Sequence, residues 1–166
     1  MKPRRSFEAG HLRKFLLIVD DSTEVESALY YAASRVQRSS GIIVMLYVIE
    51  PAEFTHWKGV RERQIEEETA TAKALFRLFR RKLNQAGFES VVTEEAIREG
   101  AKAEQIVQAI NADDDIAIMV LGASTDVKGP GPLVASLAAG KQAGSFPVPI
   151  TIVPGYLALE DIKALA

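Results

Sequence analysis

The spacing of its apolar runs constrains this chain more than any other feature. Lys14–Asp20 (KFLLIVD), Ile42–Ile49 (IIVMLYVI), Ile116–Leu121 (IAIMVL) and Val148–Val153 (VPITIV) are short, nearly continuous and rich in branched residues. Runs of that length without alternation predict strands buried on both faces. Phe88–Ile97 (FESVVTEEAI) has mixed polarity and predicts a strand near a sheet edge. Each connection is long enough to hold a helix, which parallel strands require and hairpins do not. Val25, Ala28, Leu29, Ala32, Ala33 and Val36 form one helical stripe, with Ser22 or Thr23 as its expected N-cap and Ser39-Ser40-Gly41 as its stop. A second helix is predicted over Val60–Gln85, where Ala72, Leu75, Phe76, Phe79 and Leu83 keep a helical period and Gly87 sits at the C-cap. A third runs over Ala101–Asn111, burying Ile106, Val107 and Ile110, and a fourth over Leu133–Gly144. The order βαβαβαβαβ predicts the α/β class: a single doubly wound domain, a mostly parallel sheet with helices on both faces.

The chain length of 166 residues suits one domain. The absence of cysteine excludes disulfide frameworks, thiolate zinc sites and cysteine nucleophiles. With 20 basic and 22 acidic side chains, the net charge of −2 makes nucleic acid an unlikely partner. No apolar run approaches the roughly 18 residues of a membrane span, so no membrane partner is expected. The charge is unevenly placed. The first fourteen residues carry five basic side chains and one acidic, a net +4 that leaves −6 on the rest. Residues 1–13 read as a basic, flexible, solvated extension, with no apolar segment that would make them a secretory signal, and a cytoplasmic location is expected. Residues 14–155 form the body. Residues 156–166 read as a short helix, with Leu159, Ile162 and Leu165 packing back on the body or on a partner subunit.

In open α/β sheets ligands bind beyond the carboxyl ends of the strands. The candidates there are Asp20-Asp21-Ser22, Val48–Pro51 and Gly122–Ser136 (GASTDVKGPGPLVAS). In the last, backbone amides at the following helix N-terminus, its macrodipole and Lys128 could hold an anion. Pro132 fits a first helical turn. The same glycines and prolines are also ordinary turn chemistry. A phosphorylatable receiver domain would share the acids after strand one, but its acceptor aspartate and its lysine would fall where Arg98-Glu99-Gly100 and Pro154-Gly155 stand. Helix capping accounts for Asp20 and Asp21 more simply. Gly129-Pro130-Gly131 lacks the third glycine of a dinucleotide fingerprint, Val134 standing three residues on, and no P-loop occurs. His11 and His56 have no nucleophile or metal-ligand spacing beside them, no Gly-x-Ser-x-Gly elbow is present, and Glu66-Glu67-Glu68 reads as a solvated helix face. No catalytic or metal-binding residue is assigned, and the chain is not expected to be an enzyme.

Four places together resemble the universal stress protein family over residues 14–154. They are the first strand ending in Asp20-Asp21-Ser22 with its alanine-rich helix, Leu46–Glu50 (LYVIE), Arg98-Glu99-Gly100, and the close DIAIMVLGAS…PVPITIVP. The resemblance implies a Rossmann-like five-stranded parallel sheet of order 3-2-1-4-5 and a homodimer. It also implies ATP binding through a motif G-x2-G-x9-G-S/T after strand four. Aligned here, Gly122 is the first glycine and Ser136 the final hydroxyl, while Thr125 and Ala135 replace the second and third glycines. Asp20 and Val48 match adenosine-side contacts of ATP-binding relatives. The implied nucleotide-contacting set is thus Asp20, Val48, Gly122, Ser124, Thr125, Lys128, Gly129, Ala135 and Ser136. Each lost glycine costs about 1 kcal/mol or more where φ must be positive. Two such losses weaken ATP binding by roughly ten- to a thousandfold, unless Lys128, Gly129 and Gly131 form a substitute cradle. The expectation is a non-catalytic regulatory or interaction protein of the stress response, with no cofactor assigned beyond a possible adenine nucleotide and with a protein partner the sequence does not name. The alternative is a sensor of ATP or another adenine nucleotide. In the order 3-2-1-4-5 the last strand, Val148–Val153, is an edge, too apolar to stay exposed, and Pro149 restricts it to peripheral pairing. Pairing with its symmetry mate would cover Ile150 and Ile152; cover by the C-terminal helix is the alternative.

Overall fold

The computed structural model describes residues 3–52 and 57–166. Its sheet contains β1 (Lys14–Ile18), β2 (Ile42–Ile49), β3 (Val92–Glu99), β4 (Ile116–Ala123) and β5 (Ile150–Pro154), all parallel, in the order β3-β2-β1-β4-β5. Around it lie α1 (Val25–Ser39), α2 (Lys58–Gln85), α3 (Lys102–Ala112) and α4 (Leu159–Leu165). Successive side chains of β1 point to opposite faces and join different cores. Phe15, Leu17 and Val19 pack with Leu29 and Ala32 of α1 and Phe76 and Phe79 of α2. Leu16 and Ile18 pack with Val44, Leu46, Met119 and Leu121 and with Ile106 and Ile110 of α3. Leu16 and Leu17 have no exposed surface. Burying each stabilises the fold by about 1.5–3 kcal/mol.

Several expectations shift at element ends. Neither Ser22 nor Thr23 caps α1. The Ser22 amide donates to Asp20 Oδ1 at 2.8 Å and its hydroxyl donates to the same oxygen, so the aspartate builds a local turn and the helix starts at Val25. The third strand begins at Val92 rather than Phe88, because Phe88 closes α2 instead. Gly87 takes φ +90°, and the Phe88 amide donates to the Leu83 carbonyl at 2.9 Å, a Schellman ending with a buried aromatic. The last strand begins at Ile150 rather than Val148.

The expected fourth helix over Leu133–Gly144 is cut short: residues 132–138 are helical, widened to a π turn over Val134–Ala138 that the Ala139 amide closes on the Val134 carbonyl at 3.2 Å, and only a 3₁₀ turn at Ala143–Ser145 follows. Gly140 and Gly144 each disfavour helix by about 1 kcal/mol relative to Ala, and so short a segment gains little from propagation.

Rather than a solvated extension throughout, the basic N-terminal segment is anchored to the body at Arg4, Ser6 and His11, while Pro3, Arg5, Phe7, Glu8 and Leu12 stay exposed. Arg4 Nη1 donates to the carbonyls of Ile110, Asp113 and Ile116 at 2.7, 3.1 and 3.4 Å, and Ser6 is buried. The Arg5 amide donates to the Asp114 carbonyl at 2.9 Å, and His11 Nδ1 lies 2.6 Å from Asp115 Oδ1. The segment therefore closes the end of α3 and the amino end of β4. At the other terminus, α4 packs on the body through buried Ile162, with Lys163 Nζ donating to the Ala86 carbonyl at 2.8 Å and Arg38 to the Lys163 carbonyl at 3.2 Å.

Candidate functional site

The carboxyl ends of β1, β2 and β4 lie side by side. Leu17 pairs with Met45 and Val120, so Asp20, Val48 and Gly122 follow at neighbouring strand ends. Val48 is buried at 6% exposure, while Asp20 is half-buried and committed to the Ser22 turn. On the opposite face of β2 from Val48, the Tyr47 hydroxyl donates to Glu68 at 3.3 Å. Burial above all, then Glu68, Asp21 and Asp20, push that phenol's pKa above its ordinary value.

The start of α1 is wedged against the end of β4. A Cβ at Gly122 would fall 2.2 Å from the Glu24 carbonyl oxygen, so only glycine permits the approach. A Cβ at Gly155 would fall 3.0 Å from Glu24 Cβ, and one at Gly131 would fall 3.8 Å from Glu24 Oε1. The Glu24 side chain thus runs from the strand ends toward the loop that follows β4. A cavity of about 420 Å³ lies there, lined by Glu24, Ser124, Asp126, Lys128, Gly129, Pro130, Gly131, Pro132 and Ala135.

That loop is wound on itself. Gly129 and Gly131 take φ of +121° and +104°, whereas Thr125 and Ala135 are not among the positive-φ residues, so those two replacements impose no left-handed strain. The permissive positions have moved to 129 and 131. The Ser124 amide donates to the Pro130 carbonyl at 3.0 Å, and the Gly129 amide to the Asp126 carbonyl at 3.1 Å. The Asp126 amide donates to Ser124 Oγ at 3.1 Å, and the Lys128 amide to Asp126 Oδ1 at 2.9 Å. The Ala135 amide bonds the Gly131 carbonyl at 3.1 Å. Five amides of this stretch are therefore engaged within it, while those of Thr125, Val127 and Gly131 are not among the donors. The macrodipole is also weaker than a full helix would give, since the helical stretch that follows covers only residues 132–138.

Of the sequence-predicted set, Ser124, Lys128, Gly129 and Ala135 meet around this cavity. Asp20, Val48 and Gly122 stand at the strand ends next to it, and Thr125 and Ser136 are exposed outside its lining. Sequence reasoning missed Glu24 and Asp126. The only signal for Glu24 was indirect, in glycines 122, 131 and 155 that converge on it from three separate segments. His11 is engaged with Asp115 at the opposite end of the sheet, and His56 lies outside the described residues. Among the described residues no group of His, Asp or Glu side chains could hold a metal ion. A larger cleft of about 790 Å³ lies between α3 and the segment from Leu137 to Pro147, lined mostly by apolar atoms and by none of the predicted residues.

The family model described as "Universal stress protein family" matches residues 11–154. A comparison with curated proteins gave no significant match. Among solved structures, the chain is similar to universal stress protein UspA from Lactobacillus plantarum at 19% identity, covering 85% of this chain and 97% of that one, with a TM-score of 0.65. It is similar to a universal stress protein family protein from Arabidopsis thaliana with AMP bound at 15% identity, covering 86% and 91%, TM-score 0.58. It is also similar to the universal stress protein from Archaeoglobus fulgidus in complex with dAMP at 16% identity, covering 85% and 97%, TM-score 0.55. At these identities the likeness is one of fold.

Proposed function

The chain belongs to the universal stress protein family, and from that premise we propose that it is a non-catalytic, cytoplasmic regulatory or interaction protein of the stress response that binds ATP weakly or not at all. One observation supports the reading: the amides of Ser124, Asp126, Lys128 and Gly129 donate to acceptors inside the loop, which leaves fewer donors for a phosphate chain. A triphosphate needs several such donors at once, and freeing each would forfeit a hydrogen bond worth about 0.5–1.5 kcal/mol. Breaking two or three would weaken binding by roughly ten- to a thousandfold. Glycines at 129 and 131 supply turn geometry, and the Gly129 amide is used in that turn. Titration calorimetry with ATP and Mg²⁺ tests this. No heat of binding is expected below millimolar nucleotide, and a micromolar Kd refutes the proposal.

A second reading keeps an adenine mononucleotide as ligand. Asp20 and Val48 are retained at the adjacent strand ends, and two structural neighbours hold AMP and dAMP. Mass spectrometry of protein purified from cells, without added nucleotide, separates the two readings.

The same proposal includes a homodimer through β5. That strand is an edge of the sheet, Ile152 is 41% exposed, and a groove of about 530 Å³ runs beside it past Phe146, Val148 and Ile150. α4 packs on α1 and leaves Ile152 open. An apolar open edge favours pairing with a second copy.

A further inference from the structure

We propose that the cleft between α3 and the segment from Leu137 to Pro147 is a binding site for a small, uncharged, largely apolar molecule. It shares no lining residue with the cavity in the loop after β4, and it is independent of whether a nucleotide binds there.

The cleft originates in the shortened crossover between β4 and β5. That crossover and α3 cover the same face of the sheet, since Ile106 and Ile110 share a core with Val134 and Leu137. Helical residues end at Ala138. A Cβ at Gly140 would collide with the Ser136 backbone, so the chain makes a close turn there that only glycine permits. It then runs on to Pro147 with a single 3₁₀ turn, and no continued helix lies along α3. The cleft opens between this segment and α3. Its volume of about 790 Å³ falls within the roughly 300–1,000 Å³ of small-molecule pockets.

The lining sets the chemistry of the occupant. Val107, Leu137, Phe146 and Pro147 present apolar surface, and Phe146 packs against the core to which Leu137 belongs. An apolar molecule seated there removes its own surface and theirs from water. Glu104 is the only charged residue in the lining, so no cation receives an acid. Arg98, the cation bonded to Gln108, is spent on Gln105 Oε1 at 2.9 Å and Gln108 Oε1 at 3.3 Å and does not line the cleft. The side-chain amides of Asn111 and Gln142 bond no other described residue, and each is able to meet one carbonyl or hydroxyl group of a ligand. A carboxylate, sulfonate or phosphate would instead be desolvated beside Glu104 without a partner. The groove beside β5 shares Leu137, Phe146 and Pro147 with the cleft, which makes a second copy of the chain the rival occupant.

Two fluorescent probes test the site on the full chain, with the naphthalene excited directly. N-phenyl-1-naphthylamine is uncharged, and 1-anilinonaphthalene-8-sulfonate carries the same rings with a sulfonate. The uncharged probe is expected to saturate at one per chain and to bind about tenfold more tightly than the sulfonate. Ala103→Trp and Gln142→Trp fill the cleft from exposed positions on its two walls, and each weakens the uncharged probe at least about tenfold. Using both keeps the test decisive should one variant fail to fold. Glu104→Lys leaves the uncharged probe within about twofold and tightens the sulfonate about fivefold. The proposal is overturned if the uncharged probe does not saturate, if the sulfonate binds the wild type as tightly, or if a folded tryptophan variant binds the uncharged probe unchanged. A wild-type dimer that excludes the uncharged probe, and that Ala103→Trp separates into monomers, assigns the cleft to a second copy and overturns it as well.

Discussion

Arg4→Ala is the perturbation that most directly interrogates how the N-terminal segment is held. The guanidinium reaches the carbonyls of Ile110, Asp113 and Ile116, and its side chain is 15% exposed. A hydrogen bond from a charged donor contributes about 1.5–3 kcal/mol, and a cation at a helix C-terminus about 0.3–1 kcal/mol more. Against this, Arg4 Nε and Nη2 are buried without a hydrogen-bond partner, and only the Asp114 carboxylate, 4.0 Å from Nη2, offsets their desolvation. Allowing about 1 kcal/mol for that penalty leaves a net contribution of about 2 kcal/mol. For a domain of this size that corresponds to a fall of roughly 4–8 °C in Tm. Arg5, next in sequence, serves as the control, because it pairs only with Glu8 at 2.8 Å on an exposed surface. Calorimetric or urea unfolding of both variants decides the matter. Arg4→Ala should drop well below wild type while Arg5→Ala stays with it; indistinguishable midpoints would show that the segment is not anchored as described.

Gly122→Ala should be destabilised by at least about 3 kcal/mol, since its methyl meets backbone rather than a movable side chain. Gly129→Ala has open space and loses only its φ of +121°, on the order of 1–2 kcal/mol; similar midpoints for the two would contradict the wedge of α1 against β4. Burial first, and then its hydrogen bond to Glu26, push Tyr30 up to about 12. A pKa raised on folding gives stability that is complete below the free value of about 10 and lost as pH climbs toward 12, so urea midpoints should fall over that window and fall less in Tyr30→Phe. Lys14, whose hydrogen bonds to Asp113 and Glu94 outweigh the lowering by burial, adds to the same alkaline loss. Ile152→Lys should convert a wild-type dimer to monomer in sedimentation at high micromolar protein, and a wild type that already sediments as a monomer refutes pairing through β5.

The strand count, the parallel order and both core faces were legible because continuous apolar runs leave the chain few ways to hide them. What failed had non-local or opposed local causes. Alanine and leucine in 133–144 advertise a helix, yet Gly140 and Gly144 interrupt it before it can propagate past one π turn. Phe88 is as apolar as any strand residue, but the Gly87 turn assigns it to the end of α2. The charge of the N-terminal segment was visible, but its counterpart was not. Asp113, Asp114 and Asp115, read as a chain break, face Lys14, Arg4 and His11 in turn, about a hundred residues away in sequence. The excess of positive charge at the start answers an acidic corner of the same domain.

The candidate site shows why a motif glycine has two meanings. Gly122 is the one motif glycine the chain keeps, which would ordinarily favour a surviving phosphate site. Its retention is fully accounted for by the Glu24 carbonyl, which would collide with any side chain there whether or not a ligand ever arrives. Positions 125 and 135 are not so constrained: both residues lie exposed with unstrained backbone, free to carry a glycine had phosphate contact required one. The glycines the loop does carry, at 129 and 131, serve left-handed turns whose amides and carbonyls bond back into the loop. Only the unconstrained positions report on ligand binding, and both point away from a polyphosphate.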